Sequence, residues 1–154
     1  MDINKHKIFM KKAIEEAKKA EEIEEVPIGA VIVKNGEIIS GGYNKRETHR
    51  NALLHAEIEA IDNACKKLGS WRLIDCDLYV TLEPCPMCTG AIINSRIKRV
   101  IFGAKDEKAG SCGSIINLFE LGYNHRPEVI SGIMKEECRK LLSNFFENLR
   151  KNKN

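Results

Sequence analysis

A histidine followed two residues on by a glutamate, and a pair of cysteines three apart, carry the most specific chemistry in this chain: His55-Ala56-Glu57 and Pro84-Cys85-Pro86-Met87-Cys88. Cysteines at i and i+3 of a first helical turn project to the same side, at about the separation that two ligands of one zinc ion need. His55 opens a helical segment of its own, so both ligand sets sit at helix N-termini, each after an extended or loop segment. Pro84 and Pro86 suit that boundary, because proline lacks the N–H that a first turn leaves unpaired. Three protein ligands leave a fourth place for water, which is the composition of a catalytic rather than a structural zinc site. His49 stands in a polar stretch and His6 and His125 in unrelated segments, so none is an obvious fourth ligand.

Glu57 decides what such a site does with its water. Residues i and i+2 do not share a helix face, so Glu57 is poorly placed to ligate the metal that His55 binds. From the first turn it points instead across the space beside the zinc. Zinc lowers the pKa of its water towards ~7. A carboxylate there can accept the water's proton, protonate a ring nitrogen and then protonate the departing amine. Those are the transfers that hydrolytic deamination of an amidine carbon requires. Each signal alone has a plainer reading: Cys-x-x-Cys as structural zinc or a redox pair, a histidine as a satisfied core residue, a helical glutamate as a solvated one. In this order, with one strand between them, they point together to a catalytic centre holding one Zn2+ per chain.

The elements that must position these residues are legible as periodicities. Phe9, Met10, Ala13, Ile14, Ala17 and Ala20 recur at helical spacing from Lys5 to about Ile23, and Pro27 ends that segment. Ile28 to Val33 and Ile38 to Tyr43 are strand-like and joined through Asn35-Gly36, which accepts the positive φ angles of a tight hairpin. After the polar stretch Asn44 to Asn51, His55 to Leu68 is a helix stopped by Gly69. Leu78 to Leu82 is a strand, Cys85 to about Ser95 a helix and Val100 to Phe102 a strand. Ile115 to Leu121 is a short helix and Val129 to Ile133 the last strand. Lys135 to about Arg150 is the closing helix, with Leu141, Leu142, Phe145, Phe146 and Leu149 on its buried side. The order predicts an α/β fold: a three-layer α/β/α sandwich around a five-stranded mixed sheet, parallel after Leu78.

Composition bounds the rest. A length of 154 residues suits a single domain with a core that needs no disulfides. No apolar run approaches the ~18 residues of a membrane span, and Met1 to His6 contain no apolar signal region, so a cytoplasmic protein is expected. In a reducing compartment Cys65, Cys76, Cys112 and Cys138 read as scattered free thiols. The net charge of +3 is no polycation, but Lys135 to Asn154 carry six bases against three acids, with Arg150, Lys151 and Lys153 at the end. Such an end can neutralise phosphates, or be a solvated tail.

On the zinc and glutamate motifs the chain resembles the cytidine deaminase superfamily, whose His-x-Glu and Pro-Cys-x-x-Cys signature serves base-flipping deaminases. Within it the chain is similar to the bacterial tRNA-specific adenosine deaminases, through Val26-Pro27-Ile28-Gly29-Ala30, Gly42-Tyr43-Asn44, Ser95-Arg96-Ile97, Phe102-Gly103-Ala104 and Asn124-His125-Arg126 among others. This resemblance implies conversion of adenosine to inosine at the wobble position, the tRNA anticodon stem-loop as partner, and a homodimer with each active site near the subunit interface. It also implies that Asn44 contacts the flipped purine, that backbone near Ala56 and Glu83 brackets the reacting group, and that Lys105-Asp106 lie against the anticodon. Asn51-Ala52-Leu53-Leu54 stand where relatives often have a polar or proline-containing approach to the histidine. Two other readings stay open at this stage. One is a deaminase of a free base or nucleoside, guanine or cytosine, with the same zinc and glutamate. The other is a structural-zinc RNA-binding module, with a fourth protein ligand and no role for Glu57.

Overall fold

Alternation along three strands sorts the core into two layers. In β1 (Gly29–Lys34), β3 (Cys76–Leu82) and β4 (Arg99–Ala104), the side chains of Ala30, Ile32, Leu78, Val80, Val100 and Phe102 enter one apolar cluster. Val31, Val33, Tyr79 and Ile101, one residue out of phase, enter the other. A strand buried on both faces must do this, since successive side chains point to opposite sides. The first cluster is completed by α2 (Ala56–Leu68) and α3 (Pro86–Ser95), the second by α1 (Ile3–Glu22) and α4 (Lys135–Asn152). The three layers and the mixed five-stranded sheet expected from the sequence are therefore present, in the order β2-β1-β3-β4-β5, with β2 at Glu37–Tyr43 and β5 at Glu128–Ser131. β1 runs antiparallel to β2 and β3, whereas β3, β4 and β5 are parallel. Residues 2–152 are described in this computed structural model.

Small residues let the helices lie close to the sheet. A Cβ on Gly29 would stand 2.1 Å from the carbonyl oxygen of Ala13, where α1 crosses β1. One on Gly42 would stand 2.6 Å from that of Ala56, where α2 crosses β2. Gly29→Ala is expected to lower stability by about 1–3 kcal/mol, because the backbone of α1 has to move to admit the methyl group. Urea denaturation reads this directly; an unchanged midpoint would mean that α1 stands further from β1.

Several boundaries differ from the sequence expectation, each for a local reason. His55 and Cys85 are not helical residues but N-caps in extended conformation, with α2 and α3 beginning one residue later. The segment Ile115 to Leu121 forms only a single 3-10 turn, Leu118–Glu120, on which Phe119 is the buried side chain. β5 stops at Ser131 because Gly132 takes a φ of +84°. The apolar stripe of α4 is largely not core: Cys138 is its one buried residue, Leu141 packs against the sheet, and Phe146 and Leu149 are 41% and 44% exposed. Cys138 and Leu141, in the first two turns of α4, join the apolar layer of Tyr79 and Ile101 on β3 and β4.

Candidate active site

The ends of β1, β2, β3 and β4 that meet at one end of the sheet, together with the N-termini of α2 and α3, carry the candidate residues. β3 runs out at Leu82 into Glu83-Pro84-Cys85, and β4 runs out at Ala104 into Lys105-Asp106. Because β1 and β2 are antiparallel neighbours paired as Gly29↔Tyr43, their junction with Asn44 lies at the same end. Crevices outside the carboxyl ends of parallel strands are where open α/β sheets bind ligands. Here a cavity of about 800 Å³ is lined by Asn44, His55, Ala56, Glu57, Glu83 and Cys85, with Lys105 and Asp106 at its wall. The residues assigned to metal, proton-transfer and base-contact roles thus line one cleft, apart from Cys88, which is fully buried.

His55 Nδ1 stands 3.6 Å from Cys85 Sγ and 3.5 Å from Cys88 Sγ. Nitrogen and sulfur ligands at the usual zinc bond lengths, in tetrahedral arrangement, are about 3.6 Å apart. The three donor atoms lie within 4.8 Å of one another and could hold one metal ion. The N-termini of α2 and α3 both aim at this point, which favours negative charge on the sulfurs. The Cys85 thiol is pushed down to about 4, chiefly because Cys88 donates a hydrogen bond to it; burial opposes this and His55 adds to it. Cys88 is pushed up, since it supplies that hydrogen bond and is buried. The pair therefore shares one proton that a cation would displace. The other histidines lie elsewhere: His6 is buried against Tyr79, His125 bonds the Ile97 carbonyl and His49 is exposed.

Glu57 is buried in the same cleft as His55 and Cys85. Burial pushes its carboxyl up to about 7, against lowering by its own backbone N–H and by His55. A carboxyl so placed takes up and releases a proton near neutrality, as a general acid–base group must. It is not one of the grouped donors that could hold a metal ion, in keeping with the i, i+2 geometry.

The other expected contacts are placed as follows. Asn44 is buried, with Nδ2 donating to the Val26 carbonyl at 3.3 Å and Oδ1 accepting from Arg46 N–H at 3.1 Å. One further N–H and one lone pair remain for a ligand. Asp106 spends its carboxylate on its own turn, accepting from the N–H groups of Lys108 and Ala109. Lys105 is exposed at the rim. The Glu83 side chain has a role that sequence reasoning missed: it is buried and accepts from the N–H groups of Asp106, Cys112 and Ser114 and from the Ser114 hydroxyl. It anchors the Lys105–Ser114 loop, and a Cβ on Gly110 would meet its carboxylate at 2.4 Å. Also missed were Arg46 and Lys108 at the rim and the placement of Leu142 and Phe146 of α4 in the cleft wall, whereas Lys135 and Arg139, which stand beside them there, belong to the basic end marked by sequence. Helical periodicity did mark Leu142 and Phe146, but as core. Of the basic end, Arg150 and Lys151 are exposed in the last turn of α4, away from the cleft lining, and Lys153 lies outside the described residues.

Against known proteins, residues 3–150 match the model of the MafB19-like deaminase family. The chain is 57% identical over 147 residues to the tRNA-specific adenosine deaminase of Bacillus subtilis, covering 95% of this chain and 91% of that one. A structure solved in a study of A-to-I editing by tRNA:A34 deaminases at the wobble position superposes with a TM-score of 0.84 at 44% identity, covering 87% of this chain and 98% of that one. A guanine deaminase from Bacillus subtilis is also 44% identical, with a TM-score of 0.62 over 68% of this chain and 66% of that one.

Proposed function

This chain belongs to the MafB19-like deaminase family and stands among the tRNA-specific adenosine deaminases, and from that premise we propose that it converts adenosine to inosine at the wobble position of tRNA. One observation carries the substrate class: the cleft that ends at Glu57 is walled at its mouth by Lys135, Arg139, Leu142 and Phe146 and rimmed by Arg46 and Lys105. A free base would need none of these, whereas a flipped nucleotide with its neighbours brings phosphates for the cations and bases for apolar surface.

His55, Cys85 and Cys88 would hold one Zn2+, which when bound supplies an acidified water and Lewis-acid stabilisation of charge at the reacting carbon. The reaction adds water across C6 of adenine and releases ammonia. Glu57 takes one proton of the attacking water and delivers it to the adjacent ring nitrogen; it then takes the proton of the new C6 hydroxyl and passes it to the amine, which leaves as ammonia while the C6–N bond breaks and the C6 carbonyl forms. Backbone at Ala56 and Glu83 brackets the reacting group, and Lys105 and Asp106 face the anticodon. The partner is the anticodon stem-loop, the compartment the cytoplasm and the assembly a homodimer. No helix among the described residues is long and apolar enough to cross a membrane. Trp71, Ile74, Ile115, Ile116 and Leu121 are 41–61% exposed, surface that a second copy would remove from water.

The deciding experiment is to incubate the protein separately with an anticodon stem-loop, adenosine, guanine and cytosine, and to assay inosine and ammonia. Turnover on the stem-loop alone is expected; turnover on guanine alone would transfer the site to a free-base deaminase. Asn44→Ala removes the donor and acceptor offered to the purine edge and should cost about 1–3 kcal/mol in kcat/KM while zinc is retained. Wild-type kinetics in that variant would remove Asn44 from the base contact.

A further inference from the structure

Residues 46–53 form an exposed excursion between Asn44 and His55, that is, between the proposed base contact and a metal donor. Most of its hydrogen bonds are internal: His49 N–H to Lys45, Arg50 N–H to Glu47, Asn51 N–H to Arg46 and Leu53 N–H to the Asn51 side chain. Among the described residues, the hydrogen bonds that tie 46–53 to anything beyond the segment Asn44–His55 end on a single group, the carboxylate of Glu25. Glu25 Oε1 accepts from Glu47 N–H at 3.2 Å, and Oε2 accepts from Thr48 N–H at 2.6 Å and from the Thr48 hydroxyl.

Glu25 is itself rigidly held. Helix α1 ends with Glu24 at a φ of +63°, and the Glu25 N–H returns to the Ala20 carbonyl, a helix-stop geometry that fixes the residue after the turn. The residue is 1% exposed. The next two links of the connector continue the same bed, with Val26 O accepting from Asn44 Nδ2 and Ile28 O accepting from Asn44 N–H. Burial pushes the Glu25 carboxyl up, but the Thr48 and Glu47 donors outweigh it and hold it below the usual range, so it is charged when it meets them.

We propose that Glu25 is a positioning residue whose buried carboxylate pins the Asn44–His55 segment to the end of α1 and so holds Asn44 and Arg46 in the wall of the cleft that receives RNA. The assignment rests on the RNA reading above for its substrate, and on the hydrogen-bond inventory for the pin. A charged anchor suits the task, since two backbone N–H groups and a hydroxyl converge on two oxygens and each bond to a carboxylate is strengthened by its charge. Sites are accurate where a supporting side chain locks the loop that carries them.

Glu25→Gln keeps the shape but turns an NH2 towards one of the loop donors. Hydrogen exchange of the Glu47 and Thr48 amides should accelerate about tenfold or more, with zinc content retained. On the stem-loop, kcat/KM should fall about 10- to 100-fold, mostly through KM. The discriminating readout is a double-mutant cycle with Asn44→Ala: acting through Asn44, Glu25→Gln should cost less than about threefold in the Asn44→Ala background. Thr48→Val removes one of the bonds from the exposed side, without risk to the core, and should show a smaller loss with the same coupling. Equal fold losses in both backgrounds would overturn the proposal, as would unchanged exchange at Thr48 in both variants. The exchange measurement needs no substrate, so it decides the pin even if the stem-loop is not deaminated, a result that would sink the RNA reading instead.

Discussion

Glu57→Gln should lose a factor of about 10⁴ or more in single-turnover inosine formation while keeping its zinc and its fold. General acid–base groups typically contribute about 10² to 10⁴ in rate, and here one carboxyl serves several successive transfers, so the loss belongs at or beyond the upper end. The side chain is nearly isosteric, and Glu57 stands beside His55, Cys85 and Cys88 without being one of the donors grouped for a metal ion. Metal content should therefore stay near wild type, and binding of the stem-loop should survive. Metal analysis and kinetics on the same preparation separate the alternatives. A variant within tenfold of wild type would end the proton-transfer role. A variant inactive because its zinc has gone would make Glu57 a ligand. A structural-zinc RNA-binding module would form no inosine in either protein and bind RNA equally well in both.

Cys85→Ser and Cys88→Ser should each lose most of the one zinc expected per chain, and deamination with it. A neutral hydroxyl is a far poorer zinc ligand than a thiolate. Cys85 caps α3 and His55 caps α2, so a shared ion ties two helices of the same core layer together. A ligand bound only by the folded chain stabilises it by mass action, so both variants, and wild-type protein treated with a chelator, should melt at lower temperature than the zinc form. Full zinc retention in both variants would overturn the ligand assignment; zinc loss with activity intact would overturn the catalytic one.

The reach of the sequence follows the range of the interactions involved. The grouping of His55, Cys85 and Cys88 beside Glu57 was legible because it is local: a cap and its first turn fix where these four residues stand relative to two helix starts, and the strand between brings those starts together. The layers were legible for a similar reason, since period-2 and period-3.6 patterns are properties of short segments. What only the tertiary structure decided was the surroundings of charged and amphipathic residues. Glu24 and Glu25 are adjacent and chemically identical, yet one is exposed and the other buried, because the donors that make burial of a carboxylate tolerable come from residues 47 and 48. Glu83 is the same case, its donors arriving from residues 106 to 114. The stripe on α4 shows the converse: helical spacing marks Leu142 and Phe146 as apolar, but whether such a face meets a core or a cleft depends on where the sheet beneath it ends. Here Leu142 and Phe146 line the cleft, and the face that periodicity assigned to the interior became a wall of the candidate site.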